Sequence, residues 1–87
     1  MTYTIVAGPD VEAIFRKMKA KDAARFEQVA KKLQEIGENP EIGKPLRRPM
    51  QGRWRIHIGH YVLIYKFEKK KGLVTLVKYA PHDEAYN

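Results

Sequence analysis

No cysteine occurs among the 87 residues, which excludes a disulfide framework, a thiolate metal site and a cysteine nucleophile. No apolar run approaches the roughly 20 residues that span a bilayer. The opening "MTYTIVAGPD" has neither a basic leader nor a long apolar core, so export is not expected. Together these absences point to a soluble protein of the cytoplasm with no membrane partner. Internal repeats and low-complexity tracts are missing as well. The length leaves room for one small domain over 1–87 and no second one.

What is present is unevenly spread. Residues 1–42 hold seven Lys or Arg against seven Asp or Glu. Residues 43–87 hold ten basic residues against Glu68, Asp83 and Glu84, and so carry the whole net charge of +7. A basic field confined to one part of a small domain suits a polyanionic partner, by phosphate neutralisation and steering. The plainer reading is a solubilising surface, and Lys69 to Lys71 are most simply a solvated turn.

The pattern along the chain reads β-α-α-β-β-β. "TYTIVAG" (2–8) alternates as a short strand does. Gly8-Pro9-Asp10 ends it and opens a helix, Pro being tolerated in a first turn; Val11, Ile14, Phe15 and Met18 follow at helical spacing. A second helix is expected from about Asp22, a capping residue, to Gly37, with Phe26, Val29, Ala30, Leu33 and Ile36 on one stripe. Residues 38–52 read as a loop with at most a short extended piece around Pro45 to Arg48. "RWRIHI" and "YVLIYKF" flank Gly59-His60, a glycine-first pair suited to a two-residue hairpin turn. That turn pairs Ile58 with Tyr61, Ile56 with Leu63 and Trp54 with Tyr65 on a core face. The opposite face then receives His57 beside Val62, Arg55 beside Ile64 and Arg53 beside Lys66. "LVTLVKYA" (73–80) is apolar enough to lie inside the sheet. The expected fold is α+β: a two-helix hairpin packed on one face of a small antiparallel-dominated sheet, with the other face partly open.

All three histidines fall in the basic half, at 57, 60 and 82. With Asp83 they could hold zinc, but the short paired spacing that marks a helical metal site is missing. Taken singly, His57 is an exposed strand residue, His60 a polar turn residue and His82 a solvated tail residue. Taken together, groups that grip phosphate and imidazoles that shuttle protons are what RNA cleavage by transesterification needs. The ribose 2′-OH loses a proton, the phosphorane is stabilised and the 5′-oxygen gains a proton. That chemistry requires no metal and no cofactor. Tyr86 could cap such a site, stack on a base or anchor the tail. Trp54, Tyr61 and Tyr65 belong to the core by the register above.

The stretch "KPLRRPMQGRWRIHIGHYVLIYKF" (44–67), followed after a strand by "PHDEAY", resembles the RelE/ParE superfamily of type II toxins. The family fold, two helices on a small antiparallel-dominated sheet, agrees with the order read above. Within that superfamily the RelE branch cleaves mRNA in the ribosomal decoding site and the ParE branch poisons DNA gyrase. Arg55 matches RelE's basic first hairpin strand and Tyr86 its tail tyrosine, whereas Val62 replaces a second-strand arginine and the tail arginine is lost. "HIGHYVLIY" and "PHDEAY" are similar to the YafQ branch: His57 and His82 match its histidines, His60 stands where it has an aspartate, and Lys44 where it has a further histidine. The resemblance implies a ribosome-dependent mRNA endonuclease with His82 as general acid and His57 or His60 as base or orienting group. Arg55 would neutralise the scissile phosphate, and Lys44, Arg47, Arg48, Arg53 and Lys66 would contact RNA phosphates. It also implies a separately encoded RelB-like antitoxin and the ribosome with its mRNA as partners. The alternatives are a gyrase poison of the ParE kind and a degenerate toxin that binds RNA without cutting it.

Overall fold

Gly8 and Pro9 separate the first strand, β1 (Thr4–Ala7), from the first helix, α1 (Pro9–Lys21), as their backbone chemistry requires. The computed structural model describes residues 2–85. A second helix, α2 (Ala23–Glu38), starts at Asp22, whose carboxylate accepts the Arg25 N–H at 3.2 Å. A 3₁₀ turn (Pro40–Ile42) and the two-residue β2 (Lys44–Pro45) follow. The chain then forms β3 (Trp54–Ile58), β4 (Tyr61–Glu68), β5 (Leu73–Pro81) and one terminal helical turn, α3 (His82–Ala85). The five strands lie in the order β1-β5-β4-β3-β2, antiparallel except where β1 runs parallel to β5. "LVTLVKYA" is therefore an interior strand, as its apolar run requires.

The hairpin register is the one its turn dictates. Trp54, Ile56 and Ile58 oppose Tyr65, Leu63 and Tyr61, while Arg55 and His57 oppose Ile64 and Val62. Gly59 takes the left-handed conformation the turn demands, at φ +63°. The core-facing set packs under the helices: Val11, Phe15 and Met18 from α1, and Val29 and Ile36 from α2, close on Ile58, Leu63, Tyr65, Val74, Leu76 and Tyr79. Trp54 and Tyr61 are partly buried against the same cluster, so they serve as core and not as stacking platforms. Ala30 and Ile14 were expected on the buried stripes but are exposed.

Three expectations need correction. The sheet face away from the helices is closed at its centre, because Leu46, Met50 and Val77 pack with Ala80 and Ala85 over Val62 and Ile64, which are fully buried. The loop thus contributes apolar side chains that carry no periodicity of their own. Its extended piece is Lys44–Pro45, earlier than expected. Arg53 does not continue the ladder beside Lys66. Its N–H donates to Met50 O at 3.2 Å and its C=O accepts the Leu46 N–H at 2.8 Å, so its backbone closes the loop.

Candidate functional site

Alternation along β3 sends Arg55 and His57 to the face opposite the helices. β2 is antiparallel to β3 with Lys44 opposite Arg55, so the two cations are cross-strand neighbours. What fixes β2 is a buried phenol. Tyr65 Oη donates to Pro40 O at 2.6 Å and accepts the Gly43 N–H at 3.1 Å. Burial raises the Tyr65 pKa above its ordinary value, and the Gly43 N–H opposes that rise. Gly43 passes so close that a Cβ there would collide with the Tyr65 hydroxyl and the Arg55 carbonyl. The absence of a side chain at Gly43 is what lets Lys44 reach its place.

The tail comes to the same place. Its turn α3 begins where the His82 N–H donates to His60 O at 3.1 Å, and Ala85 is buried in the second cluster. This docking lays the His82 ring against that of His57, with centroids 5.6 Å apart and 17° between the planes. Arg55 Nη1 lies 3.4 Å from His57 Nε2. A guanidinium can only donate, so Nε2 is the acceptor in this contact. His82 Nδ1 instead faces an Asp83 carboxylate oxygen at 3.8 Å. That pair is solvated, with the Asp83 side chain fully exposed, so it orients more than it stabilises.

Of the residues singled out from the sequence, Lys44, Arg55, His57 and His82 come together. Arg47 lines a neighbouring depression with Lys44, Leu46 and Arg55. His60 contributes its backbone carbonyl to the tail, while the residue itself lines the depression on the far side of Gly59, beside Arg25 and Tyr61 and without His57 in its lining. It is therefore not grouped with His57. Lys66 is exposed further along β4, opposite Thr75, roughly 7 Å beyond the Arg55 row at two residues of strand rise. Arg48 and Arg53 are exposed in and beside the loop. Tyr86 lies outside the described residues.

One residue was missed. Lys78 sits opposite Ile64, and Ile64 opposite Arg55, so Lys78 and Arg55 occupy one row on the same face, two strands apart. At strand spacing that is roughly 10 Å. A register shift between Ile64 and Tyr65 produces this alignment. The signal available was the lone charge in an otherwise apolar strand.

A family model described as the ParE toxin of type II toxin-antitoxin systems matches residues 5–86. The chain is 31% identical over 85 residues to a candidate toxin RelE4 of Methanocaldococcus jannaschii, covering 97% of this chain and 90% of that protein. Among solved structures it is similar to the intact E. coli RelBE toxin-antitoxin complex, with a TM-score of 0.74 at 25% identity over 91% of this chain and 95% of that one. A YoeB/ParE toxin from Agrobacterium tumefaciens shares the fold, with a TM-score of 0.80 at 17% identity over 91% and 98% of the two chains.

Proposed function

We propose that this chain, which belongs to the ParE toxin family of type II toxin-antitoxin systems, is an endoribonuclease that cleaves mRNA on the ribosome. The observation that carries the reading is the pair of stacked imidazoles, His57 and His82, flanked by Arg55 and Lys44. His57 takes the proton of the attacking 2′-OH at Nε2, where the hydroxyl displaces the Arg55 N–H and frees Arg55 for the phosphate. The 2′-oxygen bonds to phosphorus, and the P–O5′ bond breaks as His82 delivers a proton to the leaving oxygen. Products are a 2′,3′-cyclic phosphate and a free 5′-OH. Arg55 and Lys44 balance the charge that grows on the phosphorane oxygens.

The basic second half of the chain supplies attraction to ribosomal RNA, which provides the remaining binding surface. The partner that silences the site is a RelB-like antitoxin, in line with the RelBE complex whose toxin shares this fold. Its acidic or amphipathic segment would cover Arg55 and His57. The test is primer extension on programmed ribosomes with wild type, His57→Ala and His82→Ala. Cleavage by wild type alone supports the reading, and undiminished cleavage by either variant removes that histidine from the mechanism.

A second reading follows from the family model itself, which is named for ParE. In it the protein poisons DNA gyrase and cuts no RNA. A supercoiling assay beside the ribosomal one separates the two, since only one activity responds to the wild-type protein.

A further inference from the structure

Three depressions around the tip of the β3–β4 hairpin run into one another. One holds Lys44, Arg55 and His57. The next, about 340 Å³, shares His57 and adds Gln28, Lys31, Lys32, Glu35 and Gly59. The third, about 320 Å³, shares Gln28 and Gly59 and ends at Arg25, His60, Tyr61 and Tyr79. The groove so formed starts beside His57, passes between α2 and the hairpin tip, and stops at Arg25. Its walls are basic: Glu35 is the one acid among the described residues that line it, and it lies 3.6 Å from Lys32. Gly59 narrows nothing, since the space where its Cβ would stand is open.

The far end is built for an anion. The Arg25 guanidinium lies 3.8 Å from the Tyr61 ring centroid, and the Tyr61 ring stacks on Tyr79 at 4.9 Å and 12°. Tyr61 is committed to these contacts and to the core, so it is a poor platform for a base. What remains on offer is the guanidinium charge, which already acts on the Tyr79 phenol, although Arg25 Nη2 and Tyr79 Oη are buried without a well-aligned hydrogen bond among the described residues.

We infer that this groove seats single-stranded RNA next to the cleaved phosphate, with Lys31 and Arg25 taking backbone phosphates and Arg25 as the terminal oxoanion site. The inference rests on the ribonuclease reading for where the RNA begins, and on the groove's own charge for its path. Contacts of this kind position the strand without reading its sequence.

The experiment is a fluorescence-anisotropy titration of the full chain with a labelled 2′-O-methyl RNA, which lacks the 2′-OH and cannot be cut. Gln28→Glu puts a negative charge between the two pockets on an exposed helical position. Gln34→Glu makes the same change on α2 outside the groove. Weakening of about threefold to tenfold by Gln28→Glu, with Gln34→Glu within twofold of wild type, is expected at ~50 mM salt. Arg25→Gln should also lower the slope of log affinity against log salt by about one. If Arg25→Gln fails to fold, Gln28→Glu alone decides. Equal affinity of the two glutamate variants, or no binding by wild type, overturns the inference. So does a selective loss of polyglutamate binding in Gln28→Glu with RNA binding unchanged, which would give the groove to an acidic protein segment. Because the probe is uncuttable, a wild type that binds it through the groove yet cleaves nothing on ribosomes would sink the catalytic reading and leave this one standing.

Discussion

His57 and His82 come from a strand interior and a terminal turn, yet their rings lie nearly parallel, 5.6 Å between centroids and 17° between planes. Neither position is unusual alone. The pairing follows from the backbone bond of His82 to His60 O and from the burial of Ala85.

Cleavage by such a pair needs one imidazole to take a proton and the other to give one. His82→Ala should lower the single-turnover rate by about 10²- to 10⁴-fold. Single-turnover cleavage on programmed ribosomes reads the effect.

In the proposed reaction Arg55 is the main group that balances charge on the phosphorane. Arg55→Gln should cost about 10²- to 10³-fold in rate, and Lys44→Gln about tenfold. Because the two face each other across β2 and β3, the double variant should lose less than the product of the single losses. Substrate affinity at varied salt gives the control, because both changes also remove a phosphate contact.

Tyr65 links the site to the core. Tyr65→Phe leaves Pro40 O and Gly43 N–H without their partner and should destabilise by about 1–3 kcal/mol, read as a shift in the urea midpoint. Burial raises the Tyr65 pKa, so the phenol contributes stability below the unfolded value of about 10, and that contribution is lost as pH rises through the folded pKa. Tyr79 is raised by burial too, against the opposing pull of Arg25. Stability should therefore fall with pH above about 10, and less steeply in Tyr65→Phe than in wild type.

Ala85 tests whether packing presents the acid. Ala85→Asp would put a charge among Val62, Ile64 and Ala80 and undock the terminal turn. Cleavage should drop by about the factor expected for His82→Ala, about 10²-fold or more, while amide exchange in the core strands stays slow. Rapid exchange throughout would show that the variant unfolded the domain instead.

The parts of this fold that were legible in the sequence are those with local rules. The Gly59-His60 turn and the alternation on either side of it gave the whole β3–β4 register, and Asp22 marked the start of α2. The four residues gathered at the site, Lys44, Arg55, His57 and His82, were all identifiable because histidine and basic side chains stand out by type. Non-local packing was not legible. Leu46, Met50 and Ala85 lie in a loop and a tail without periodicity, so their closure of the second face could not be read. Lys78 falls into line with Arg55 only through a register shift on β5. Arg53 looked like a continuation of β3, but its backbone is spent on the loop.

The central claim is that the His57–His82 pair cuts RNA. Primer extension across an mRNA on translating ribosomes, with wild type, His57→Ala and His82→Ala each shown to be folded, measures it directly. The account predicts cleavage by wild type and loss of about 10²-fold or more in both variants. Full cleavage by His82→Ala, or no cleavage by wild type together with inhibited gyrase supercoiling, would contradict it.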